Sequence, residues 1–364
     1  MSEAKKTSRV PEIELMKAVA IIGMVLVHTL EASWDSLSNA DSGPGYLVFY
    51  LIEFTGGVFC SGGFMFAMGW GAAYSKRSTV QTFLTRLVKL LLLGLVVNFF
   101  EIFVPGIIDP AGCGPVSDFY YAILAVDIYY YAALFMLYFA VMKHFEDNTA
   151  VQAVISGSLV AVFVIVNTMV TPEGFSSGND WLDTLMGLFV RENEYSYFPI
   201  VTWGIYPIMG YWLCRIYKKW DDRRRFAMLL AALGIPALVV SEILVTRAGL
   251  PHEILNPGGY DEFFFYAMDT RSMLGGFGLI CLELLLYMGI VALAGGRVHP
   301  GFLYLGKNVT FIYVVQWMIL GVIYPSMAQV TSIWVNAGIG LTVLFAVIII
   351  CLCKDRLFVN RRKQ

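Results

Sequence analysis

Glu12-Ile-Glu14-Leu-Met-Lys17-Ala-Val-Ala-Ile-Ile-Gly-Met-Val-Leu-Val-His28-Thr-Leu-Glu-Ala32 is an apolar run of membrane-spanning length that still carries an acid, a cation and an imidazole. At about 100° and 1.5 Å per residue, the eleven steps from Lys17 to His28 return almost to the starting azimuth roughly 16 Å further along, and Glu14 shares that face. A charge at the centre of a bilayer costs roughly 2.5 to 3.5 kcal/mol, so this stripe is expected to face protein or a watery cavity rather than lipid. The first helix therefore reads as a membrane span with a site on it.

Runs of the same kind recur along the chain. Of 364 residues, 58% are hydrophobic and only 14% charged, and the mean hydropathy of +0.69 places the chain among integral membrane proteins. The first run holds Lys17 and His28 and is followed by no clear small-residue cleavage site, so it is expected to persist as a helix rather than act as a cleaved leader. The six cysteines are scattered through apolar segments without Cys-x-x-Cys spacing and read as packing residues. Cys351 and Cys353 have no nearby histidine, and no metal site is expected. Phosphate-binding loops and nucleophile elbows of soluble enzymes are missing, and the cations sit beside membrane spans, which argues against nucleic acid as a partner.

Apolar runs bounded by polar, Gly or Pro clusters predict an all-α polytopic protein of about ten spans, near 12–32, 46–75, 79–104, 118–143, 150–171, 198–218, 225–247, 263–295, 301–325 and 330–353. An even count puts both termini on one side. All 25 Lys and Arg except Arg191, Arg247 and Arg271 collect on that side, and the positive-inside rule makes it cytoplasmic. The expected organisation is an N-terminal tail at 1–11, a single transmembrane domain at 12–353 and a basic tail at 354–364. The opposite connections are longer, acidic and rich in Gly, Pro, Trp and Tyr, so function is expected on that face. Paired glycines at Gly56–Gly57 and Gly62–Gly63 permit a break in the second span. Pro199 and Pro207 around Trp203 predict a kink in the sixth.

His28 lies about 24 Å up an untilted helix from Glu12, toward the outer half of the hydrocarbon core. An imidazole titrates near neutrality when unperturbed, which suits a general base drawing a proton from a hydroxyl or amine. Packing alone accounts for many lone histidines in apolar helices; Glu14 and Lys17 on the same face favour a functional role here. Arg86 and Lys89, three residues apart at the start of the third span, can form with Lys17 a cationic pocket for a polyanionic cytosolic ligand. Otherwise they mark topology, the reading preferred for Lys76 and Arg77. Asp127 beside Tyr129–Tyr131, the pair Asp269 and Arg271, and Trp34 at the outer end are candidates for the acceptor side.

With these residues in view, the chain resembles the transmembrane acyltransferases, meaning the acyltransferase type 3 family and the related heparan-alpha-glucosaminide N-acetyltransferase group. Arg9-Val-Pro-Glu-Ile-Glu-Leu-Met-Lys17 followed by the run to His28 is similar to the family's first helix, in which an acid precedes an arginine and a histidine follows after ten intervening residues. Lys17 stands where arginine is usual, which keeps the charge and loses the bidentate fork. Gly63-Phe-Met-Phe-Ala-Met-Gly69, Phe83 to Lys89, Phe198 to Gly210 and Leu305 to Tyr313 are also similar to family segments. Gln316 stands where the family often has histidine, and no role is carried over to it.

The resemblance implies an acyl-CoA-dependent O- or N-acyltransferase. Acetyl-CoA or another short acyl-CoA would be the cytosolic donor, and a hydroxyl or amine of an extracytoplasmic glycan or surface molecule the acceptor. His28 would be the base or a transient acyl carrier, with Glu14 beside it, and Lys17, Arg86 and Lys89 would hold the donor phosphates. Membrane lipids would surround the chain, a homodimer is left open, and a bacterial cytoplasmic membrane is the expected location. The competing reading is a transporter or lipid-carrier flippase using the same polar stripe; it predicts matched broken helices or an inverted repeat, and none is apparent in the sequence.

Overall fold

In the computed structural model, which describes residues 10–37, 43–110, 125, 128–169, 177–190, 197–250, 252 and 268–361, the described residues form helices and connecting turns with no strand. Helix α1 (Pro11–Glu31) starts with proline in its first turn, where a missing N–H costs nothing, and Glu12 and Glu14 complement the positive end of the helix dipole. It occupies the centre of the bundle, with 72% of its apolar window buried.

After the short α2 (Trp34–Leu37), the second span comprises α3 (Pro44–Phe54), a π-helical segment at Thr55–Cys60 and α4 (Ser61–Tyr74). Gly57 carries a non-helical ψ of −134°, so the glycine-rich span is interrupted where the sequence predicts a break. The third comprises α5 (Val80–Asn98), a second π-helical segment at Phe99–Phe103 and α6 (Val104–Ile108).

The remaining elements are α7 (Ile128–His144), α8 (Thr149–Met169), α9 (Asp180–Met186), α10 (Ile200–Trp203), α11 (Ile205–Trp220), α12 (Arg223–Ala248), α13 (Thr270–Leu293), α14 (Pro300–Met327) and α15 (Ile333–Arg361). Eight spans among the described residues are long and apolar enough to cross a membrane, against about ten in the sequence reading. Two of the expected spans fall short. The fourth is seen only as the 17 residues of α7, its expected start at 118–127 lying mostly outside the described residues. The sixth is divided at Gly204 into α10 and the 16-residue α11, because Pro199 begins one helix and Pro207 lies in the first turn of the next. The last helix runs on to Arg361, through residues expected to be a tail.

Three packing relations position the site. The backbones of α4 and α11 cross so closely that a Cβ at Gly69 would sit 1.9 Å from the Pro207 carbonyl oxygen, and one at Gly210 would sit 2.0 Å from that of Phe66. Helix α1 runs parallel to α14, with Glu14 beside Gly306 and His28 beside Gln316. It runs antiparallel to α15, whose Asn336 lies beside Thr29, while Asp355 lies beside Tyr304. The start of α1 and the end of α15 therefore meet at one end of the bundle. By contrast, only 17% of the apolar windows of α5 and α8 is buried, so these helices present their apolar faces to lipid.

Candidate active site

His28 is half-buried on α1 and faces α14. There Tyr313, Gln316 and Trp317 stand three and four residues apart and so share one helix face. The Trp317 ring stacks on the imidazole at 4.6 Å between centroids and 29° between planes. Tyr313 meets it edge-on at 5.7 Å and 83°. The amide nitrogen of Gln316, Nε2, lies 2.8 Å from Nδ1. Tyr129 at the start of α7 packs its ring at right angles to Tyr313, 5.2 Å away, and donates its hydroxyl to the Thr310 carbonyl at 2.9 Å. Ring faces and one polar contact thus fix the imidazole in place and direction.

The C-terminal end of α1 is fastened by polar groups buried with their partners. Asn336 Nδ2 donates to the Thr29 carbonyl at 2.9 Å and to Ser33 Oγ at 3.0 Å, and Ser33 Oγ donates to the Met327 carbonyl at 2.9 Å. At the other end, a Cβ at Gly306 would come within 2.6 Å of the Glu14 carbonyl oxygen, so α14 lies against α1 along both the acid and the imidazole.

Glu14 is buried and accepts a salt bridge from Lys17 at 2.8 Å. Lys17 belongs to the central layer of the bundle, whereas Arg86 and Lys89 lie exposed on α5, which packs against α7. The Arg86 guanidinium stands 6.0 Å over the Phe83 ring. Glu12, which the sequence reading passed over, is buried and paired with Arg223 at the start of α12. Asp127 lies outside the described residues. Asp269 caps the N-terminus of α13, accepting from the amides of Arg271 at 3.0 Å and Ser272 at 2.8 Å. It also pairs with the Arg271 guanidinium at 3.3 Å, a contact open to residues two apart because Asp269 precedes the helix. Trp34 packs on Phe49 at 5.3 Å in an apolar cluster with Val27 and Leu30.

The residues missed by the sequence reading are Gln316, Trp317 and Tyr313 in their roles around His28. Their spacing was a usable sign, since a buried glutamine flanked by two aromatics on one helix face requires a polar partner.

A bundle of apolar helices whose central member carries an oriented imidazole is an integral membrane protein with a built polar site. The family model described as the acyltransferase domain, of acyltransferase family 3, matches residues 10–353. The chain belongs to this family of transmembrane acyltransferases. Among curated proteins, none matches it.

Proposed function

We propose that this membrane acyltransferase moves an acetyl or other short acyl group from acyl-CoA to a hydroxyl or amine of an extracytoplasmic glycan or surface molecule, in the cytoplasmic membrane of a bacterium. The observation that carries this reading is the oriented His28 on the central helix of an acyltransferase bundle. In the proposed reaction, Nε2 of a neutral His28 takes the proton of the acceptor O–H or N–H as that atom attacks the thioester carbonyl. The carbonyl carbon gains an acceptor bond and loses its C–S bond, and the departing thiolate takes up the proton to leave as the free thiol.

As placed, the Gln316 amide nitrogen donates to His28 Nδ1, which puts the ring hydrogen on the imidazole Nε2. A base at Nε2 needs the hydrogen on Nδ1, so the proposed reaction requires Gln316 to present its carbonyl oxygen to Nδ1–H instead. A half-turn about the Cγ–Cδ bond exchanges the amide's NH2 and oxygen at that position. The basic end of the bundle suits the donor, because phosphates pair with Lys and Arg through charge-assisted hydrogen bonds. Lys17, Arg86 and Lys89 remain the proposed contacts from α1 and α5.

The test is transfer of label from acetyl-CoA to crude envelope glycans by purified protein in lipid nanodiscs, parent against His28→Ala. Labelled glycan with the parent and none above background with the variant is expected. Normal transfer by the variant would remove His28 from the chemistry.

A further inference from the structure

A cavity of about 270 Å³ opens at the basic end of the bundle, between α4, α5, α7 and α11. Lys76 from the α4–α5 connection, Lys143 from the last turn of α7 and Lys218 from the last turn of α11 line it, together with Phe83, Phe139 and Tyr211. The aromatic side chains are buried and form its floor, while the lysines are exposed or half-buried and form its rim.

Topology marking explains why each lysine lies on this side of the membrane. It does not explain why lysines from three separate segments converge on one concave site, since like charges repel and lipid headgroups would serve each of them separately. One carboxylate shares the rim: Glu146 is ion-paired with Lys143. Lys218 donates to the Ala73 carbonyl at 3.2 Å, and Lys76 makes no ion pair among the described residues. Arg215, bonded to Gln152 and Thr149 just beyond Tyr211, adds to the positive field. Three ammonium groups against one carboxylate, over an aromatic floor, suit a ligand that joins phosphates to a flat ring.

Helix α7 connects this cavity to the imidazole. Lys143 lines the cavity, and fourteen residues earlier on the same helix, about 21 Å away, Tyr129 packs on Tyr313, which packs on His28. We propose that the cavity holds the nucleotide phosphates of the donor coenzyme, with Lys76, Lys143 and Lys218 as contacts added to Lys17, Arg86 and Lys89, which do not line it. Arg86 borders the site, one turn beyond Phe83 on α5. This assignment rests on the acyl-CoA reading of the preceding subsection.

The test is equilibrium binding of coenzyme A to the full chain in nanodiscs, with adenosine 3′,5′-bisphosphate and pantetheine as competitors. Exposed charged contacts are each worth a few tenths to 1 kcal/mol, so single Lys→Gln changes should weaken binding about 2- to 5-fold and K76Q/K143Q/K218Q about 10- to 100-fold. The bisphosphate should compete with the parent, and the triple Lys→Arg variant should bind as the parent does, which separates lost charge from lost fold. Equal binding by the parent and K76Q/K143Q/K218Q would overturn the assignment and leave the donor reading intact. A parent that binds no coenzyme A would overturn both. If phosphatidylglycerol in the nanodisc abolishes coenzyme A binding to the parent, and zwitterionic lipid restores it, the occupant is a lipid headgroup and the assignment also fails.

Discussion

The two ends of the bundle hold their polar groups in opposite ways. At the His28 end, an imidazole is clamped between a stacked indole and an edge-on phenol and bonded to a buried amide. At the basic end, lysines reach a cavity rim on long side chains, Lys143 held by one ion pair and Lys218 by a backbone carbonyl and the Tyr74 ring at 5.9 Å. Proton transfer needs a lone pair aimed to within a fraction of an ångström. A phosphate needs only nearby positive charge. Rigidity is concentrated where direction matters, and looseness is tolerated where charge alone suffices. Substitutions should therefore be drastic and specific at one end, mild and additive at the other.

The largest expected effect is at His28. General base catalysis contributes about 10²- to 10⁴-fold, so His28→Ala should lower kcat by that range. Coenzyme A affinity should stay within about 3-fold of the parent, because the proposed donor contacts lie at the other end of the bundle. A variant that loses donor binding as severely as turnover would erase the distinction between the ends.

Gln316 comes next. Gln316→Leu keeps the volume and removes the partner of Nδ1, so the ring can turn and the tautomer is no longer chosen; misplacement of a reacting group by about 1 Å can cost about 100-fold. A fall of about 10- to 100-fold in kcat with KM for the donor unchanged is expected. Gln316→Glu should retain most of the activity, since a carboxylate accepts from Nδ1–H as the oxygen of a turned amide would. Equal losses in the Leu and Glu variants would show that Gln316 fills space rather than orients the base.

A third measurement concerns folding. Removing Arg223 strands the buried Glu12 carboxylate at the start of the central helix. Breaking a wholly buried pair costs about 3–5 kcal/mol, but the Arg223 side chain is 48% exposed, which lets water screen the pair. A loss of about 1–3 kcal/mol in Arg223→Ala is expected, read as a lower Tm of the detergent-solubilised protein. Adding Glu12→Gln should recover part of it, because the neutral amide is easier to bury. Two independent, additive losses would show that the contact is not a coupled pair.

What was legible in the sequence was what a single helix carries. The polar stripe of α1, the break at the paired glycines and the division near Trp203 all depend on residues close in sequence. The placement of Asp269 as a cap was accessible in the same way, from its position just before an apolar run. The contact between His28 and Gln316 was not, for it joins residues 288 apart and depends on α1 and α14 running parallel with glycine at their close approach. The convergence of Lys76, Lys143 and Lys218 was hidden for the same reason. Local periodicity says which face of a helix is polar; only packing says which other faces it meets.

The smallest effect is expected at Lys17, and it bears directly on the contrast between the two ends. Lys17 shares the His28 stripe, but it behaves like the basic end: its side chain is 23% exposed and its 2.8 Å pair with Glu14 joins residues three apart on one helix. Pairs of this kind contribute a few tenths of a kcal/mol. Lys17→Ala should thus raise the donor KM only about 2- to 5-fold and leave kcat within about 2-fold. Lys17→Arg should match or exceed the parent in affinity, because the guanidinium adds a bidentate fork to the same charge. A collapse of kcat in Lys17→Ala, with KM preserved, would move Lys17 from the donor side to the catalytic side and extend the rigid site by a full 16 Å down α1.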